Sequence, residues 1–87
     1  MDTLSVQSHQ QVEFVEITSL VRQWLSGQRA GSGVLTLYVP HTTAGITVNE
    51  NADPDVIADL TKELNKVVPF EDGYRHAEGN AAAHIKS

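Results

Sequence analysis

Two polar clusters hold the side chains able to move protons or bind ions. The first is Tyr74-Arg75-His76-Ala77-Glu78-Gly79-Asn80, followed by His84 and Lys86. Imidazole exchanges protons near neutral pH and, when neutral, ligates metals. His76, Glu78 and His84 lie within nine residues and can supply three ligands of a divalent site. The two histidines are not spaced as a helical i, i+4 pair, so spacing alone does not define a metal motif. Asn80 and His84 do share one face of any helix that starts there. Arg75 and Lys86 flank the histidines, and a cation there binds phosphate or carboxylate, arginine bidentately. The alternative is a solvated loop with a surface histidine, and cations paired locally with Glu71, Asp72 or Glu78.

The second cluster is split. His41, Thr42 and Thr43 follow one apolar run, and Asn49, Glu50 and Asn51 end the next. On a strand, Asn49 and Asn51 share a face and Glu50 points to the other. Asparagine is depleted in strands, so these residues need a reason. A polar site is one; a strand end leading through a turn into a helix cap is the other. If the two runs pair as a hairpin, the halves lie at opposite ends of the second strand. They meet only through a wide excursion of residues 42–45 or across a neighbouring subunit. His9 reads as solvent-exposed, and Arg22 and Arg29 as ordinary surface charges. There is no phosphate-binding glycine loop, nucleophile elbow or dinucleotide fingerprint.

The elements that must position these residues follow from periodicity. Ser5–Gln7 is a weak extended candidate. Val12–Ile17 alternates with one phase slip, as a bulged strand does. Leu20, Val21, Trp24 and Leu25 form a helical stripe after Thr18 or Ser19 as cap, with Gly27 at its end. Val34–Val39 is almost continuously apolar and suits a strand covered on both faces. Pro40 ends it, and Ile46–Glu50 resumes strand spacing. Asp53-Pro54-Asp55 opens the clearest helix. Val56, Ile57, Leu60, Leu64 and Val67 are its stripe, and Pro69 stops it. Asn80 is placed to cap a last short helix. Strands and helices alternate without a βαβ rhythm, which predicts an α+β fold with a largely antiparallel sheet. Trp24 reads as core.

Size and charge bound the class. The chain has 87 residues, no cysteine, six Lys plus Arg and eleven Asp plus Glu, for a net charge of −5. It is too short for two ordinary domains and reads as one over residues 1–87. No disulfide framework or thiolate chemistry is available. The acidic balance argues against charge-driven nucleic-acid binding. No apolar run is long enough for a bilayer, and Met1-Asp2-Thr3-Leu4 shows no signal-peptide pattern, so a cytoplasmic location is expected.

The stretch from Pro40 to Val56, containing His41-Thr42-Thr43-Ala44-Gly45-Ile46-Thr47-Val48-Asn49-Glu50-Asn51, resembles the signature of the YjbQ family, also called UPF0047. Tyr74–Asn80 with Ala83-His84-Ile85-Lys86-Ser87 is similar to its second signature. The resemblance covers nearly the whole chain. It implies an α+β protein built on a β-sandwich of mostly antiparallel strands with two to three helices, assembled as a homotrimer. Family members continue with further strands, so the resemblance implies a chain cut just after a histidine-bearing helix. It also implies secondary thiamine-phosphate synthase activity, which joins a pyrimidine diphosphate to a thiazole phosphate.

Carried onto this sequence, the resemblance makes His41, His76 and His84 the ligands of a divalent metal, with zinc as the candidate and magnesium if pyrophosphate chemistry is performed. His76, His84 and Glu50 become the candidate catalytic groups. Asn49, Arg75, Glu78, Asn80 and Lys86 become the groups that bind a small phosphorylated metabolite. Two other readings use the same residues. One is a metal-dependent hydrolase of a small phosphorylated or carbonyl compound. The other is a non-catalytic trimer that binds a metal or anionic metabolite.

Overall fold

The computed structural model describes residues 2–29 and 31–87. Its order is α1 (Thr18–Ser26), α2 (Pro54–Val67) and α3 (Ala81–Lys86). The chain falls into two compact units, Met1–Thr36 and Leu37–Ser87.

The first unit holds α1. Its start differs from expectation, because neither Thr18 nor Ser19 caps it. The cap position is Ile17, and the Glu16 carboxylate takes the Ser19 N–H at 3.3 Å. An acidic oxygen thus serves an orphan donor of the first turn. Gly27 takes the cap position at the other end, as expected, with ordinary right-handed backbone. Trp24 is half-buried, and its indole N–H donates to Asp2 Oδ2 at 2.7 Å. That bond ties the start of the unit to its helix.

The second unit holds α2 and α3. For α2 the start signals act as the sequence predicts. Asp53 Oδ1 accepts from the Asp55 N–H at 2.9 Å, and Pro54 occupies the first turn, where its missing N–H costs nothing. Val56, Ile57, Leu60 and Leu64 are half-buried, but Val67 is 74% exposed, so the stripe ends one turn early. The short helix α3 carries the buried core among the described residues, Ala81 and Ala82. Lys86 anchors its far end. The ammonium donates to Asn65 Oδ1 on α2 and sits 4.5 Å from the centre of the Phe70 ring.

The α+β sandwich is overturned. Among the described residues there is no strand; the helices are the only regular elements. Ser5–Gln7, Val12–Ile17, Val34–Val39 and Ile46–Glu50 all lack ladder partners. Alternation reports which side chains are apolar, whereas a strand exists only once a second backbone pairs with it. The connection between the two apolar runs packs instead against the end of α3. The Thr42 carbonyl is held by His84 and Ser87, at the end of α3. Tyr38 and Val48 are left 74% and 98% exposed instead of covered. No helix among the described residues is long and apolar enough to cross a membrane.

Candidate functional site

Histidines 76 and 84 come together because α3 starts between them. Asn80 stands at the cap position of α3, yet its side chain makes no capping bond. It turns back instead, with Oδ1 2.7 Å from His76 Nε2. Glu78 Oε2 lies 3.7 Å from the same nitrogen. Both partners of that ion pair are well exposed, so it contributes little to stability. One turn into α3, His84 presents its ring edge-on to His76, with centroids 5.1 Å apart and planes at 84°. Its Nδ1 lies 3.1 Å from the Thr42 carbonyl oxygen.

The loop that brings His76 back to α3 needs glycine at one position. Gly79 has φ +82, and a Cβ there would meet nothing within 4 Å. The demand is therefore conformational and not steric. Gly79→Ala is expected to lower stability by about 1–2 kcal/mol, read as a shift in denaturant midpoint at unchanged slope.

The pair lies in an open cleft of about 370 Å³ lined by Tyr74, Arg75, His76, Ala81, His84 and Ile85. Arg75 forms no ion pair with Glu71, Asp72 or Glu78, the alternative that the sequence left open. Among the described residues the recorded ion pair is His76 with Glu78. The guanidinium beside the two imidazoles keeps its donors for another anion. A roomier hollow, about 610 Å³, is lined by Tyr38, Val39, Pro40, His41 and Thr42. It gathers no second ionisable group of the candidate set, so the smaller cleft is the better chemical site.

The other candidates have hydrogen-bond partners of their own. His41 Nδ1 accepts the Thr43 N–H at 3.0 Å and also lies 3.0 Å from the Thr43 hydroxyl, closing its own turn. Asn49 Oδ1 accepts the Glu50 N–H at 2.7 Å, and Glu50 Oε1 accepts the Asp53 N–H at 3.2 Å. These are the turn-and-cap roles that the sequence also allows. Lys86 joins α3 to Asn65 and Phe70.

A three-ligand divalent centre needs its donors convergent. Among the described residues no three His, Cys, Asp or Glu side chains are grouped to hold a metal ion. The site that forms is a histidine pair with an amide and a cation beside it.

Two contributors escaped sequence reasoning. The Thr42 carbonyl is backbone and carries no side-chain signature. The Ser87 hydroxyl lies 2.9 Å from that carbonyl oxygen and 2.9 Å from the His84 carbonyl oxygen, with its single hydrogen to share between them. Ser87 stands within the second signature, but its residue type does not specify these partners.

Comparison with known proteins adds a family. The model described as "UPF0047 protein YjbQ-like" matches residues 2–87. The UPF0047 protein YugU of Bacillus subtilis (strain 168) is 46% identical over 88 residues, covering 100% of this chain and 67% of that protein. A UPF0047 protein of Methanocaldococcus jannaschii is 43% identical over 82 residues, covering 94% of this chain and 59% of that one. A crystal structure of an uncharacterised conserved YjbQ/UPF0047 protein from Clostridium acetobutylicum superposes with a TM-score of 0.89 at 44% identity. That match covers 93% of this chain and 63% of the other. The chain thus spans about three fifths to two thirds of the length of these relatives.

Proposed function

This chain belongs to the UPF0047 YjbQ-like family, and on that premise we propose that its histidine cleft binds a small phosphorylated metabolite and moves a proton on it. The observation that carries this reading is the edge-on His76–His84 pair in one cleft with Arg75, whose guanidinium has no recorded ion pair among the described residues. Arg75 supplies bidentate donors to a phosphate or diphosphate. The imidazoles supply a proton acceptor and donor near neutral pH. Asn80 orients His76.

The finer form of the proposal is a thiamine-phosphate synthase type of transfer, as the sequence resemblance implies. A pyrimidine diphosphate and a thiazole phosphate give thiamine phosphate and pyrophosphate. Such chemistry needs positive charge at the leaving pyrophosphate and oriented polar groups, not a strong nucleophile. The cleft offers one fixed cation and two histidines for that task. The homotrimer belongs to the same reading, and it is supported by the apolar side chains of Leu37, Tyr38 and Val48 that the second unit leaves exposed.

The test is a steady-state assay of pyrophosphate release from the two phosphorylated substrates, with a His76→Ala control. Product formation above the control is expected. No difference between the two proteins sinks the transfer reading. Phosphate release from the single substrates instead would favour a hydrolase.

A further inference from the structure

The two imidazoles of the cleft face unlike partners, and the partners dictate where each ring carries its proton. A backbone carbonyl only accepts hydrogen bonds. His84 Nδ1, 3.1 Å from the Thr42 carbonyl, therefore bears the hydrogen, and His84 Nε2 bears the lone pair. His76 is opposite. Its Nε2 faces two oxygens, Asn80 Oδ1 at 2.7 Å and Glu78 Oε2 at 3.7 Å, so the hydrogen is on Nε2 and the lone pair on Nδ1. His41 is fixed as well. Its Nδ1 accepts the Thr43 N–H, which leaves the hydrogen on Nε2.

We propose that the Thr42 carbonyl is the positioning group of the cleft. It holds His84 in the Nδ1–H form and aims Nε2 as the proton acceptor, while His76 beside it keeps the reverse form. The inference rests on the proposed role of the pair and adds which atom accepts the proton. A proton taken from solvent on His84 Nε2 makes an imidazolium whose Nδ1–H already donates to the Thr42 carbonyl, and passing that Nε2 proton to the leaving pyrophosphate oxygen restores the Nδ1–H form.

The close fit of α3 against residues 42–45 makes the arrangement possible. A Cβ on Gly45 would come 3.3 Å from the Ser87 carbonyl carbon, so glycine allows the approach. The Ser87 hydroxyl bridges the same carbonyl and the end of α3.

Free imidazole in water favours the Nε2–H form, so an Nδ1–H histidine is a distinctive signature. The experiment is a long-range proton–nitrogen correlation spectrum of the nitrogen-labelled full chain at about pH 8.5, where histidine is neutral. The expected result is His84 in the Nδ1–H pattern, with His76 and His41 in the Nε2–H pattern. His84 in the Nε2–H pattern, or in the averaged pattern of free imidazole, overturns the proposal. Gly45→Val forms the second arm, because its side chain presses Ser87 away from the loop. In the folded variant at least a twofold rise in the Nε2–H fraction of His84 is expected. An unchanged His84 in a variant with native circular dichroism removes Thr42 from the role. If the variant unfolds, the wild-type spectrum decides alone. Turnover enters neither arm, so failure of the transfer reaction and failure of this assignment are told apart.

Discussion

His84→Ala lowers pyrophosphate release about 100- to 10,000-fold, the range that positioned acid–base groups contribute. The loss is expected to fall on kcat, because the proposed function gives the anion to Arg75 and the proton to the imidazole. Arg75→Ala shows the complementary pattern, a raised KM. His84→Gln sharpens the experiment. Its amide N–H can still donate to the Thr42 carbonyl, but the side chain cannot take up a proton at neutral pH. Full activity in His84→Gln would reduce His84 to a structural tie between α3 and the 42–45 loop. A loss equal to that of the alanine variant assigns the effect to proton transfer.

The second large effect is on stability. Ala82 is 2% exposed, the most buried residue among those described. Ala82→Leu adds three heavy atoms to a filled site and is expected to cost about 1–3 kcal/mol. In a chain this small each kcal/mol lowers Tm by about 4–8 °C. The variant also shifts α3, and His84 and Ser87 move with it. Its thermal melt and its pyrophosphate release are expected to fall together. Native stability with lost activity would show that the helix tolerates leucine, and the packing argument would fail.

Local signals were legible where the physics is local. Asp53, Pro54 and Asp55 mark the start of α2 because capping, proline tolerance and the helix dipole act within one turn. Asn80 marks the start of α3 for the same reason, although its side chain serves His76 instead of the cap. The strands expected from alternation and composition are absent among the described residues. Val34–Val39 has the composition of a covered strand, but pairing is a long-range property that composition does not supply. The site divides likewise. His76, Asn80 and His84 are brought together by one loop and one helical turn, which the spacing allows. Asn49 and Glu50 serve the entry to α2, the turn-and-cap alternative that their residue types left open. The Thr42 carbonyl was invisible, since any residue at that position carries the same atom.

The seat of Lys86 on Asn65 and Phe70 has a kinetic consequence. Of the two cations that flank the histidines in sequence, only Arg75 lines the cleft. The net charge of −5 repels an incoming anion at long range, and a single guanidinium offsets this only at close range. Added salt screens the long-range repulsion more than it weakens the short-range attraction. For the phosphorylated ligand proposed above, encounter with this chain is thus expected to be slowest at low ionic strength, with anions captured at close range instead of drawn from a distance.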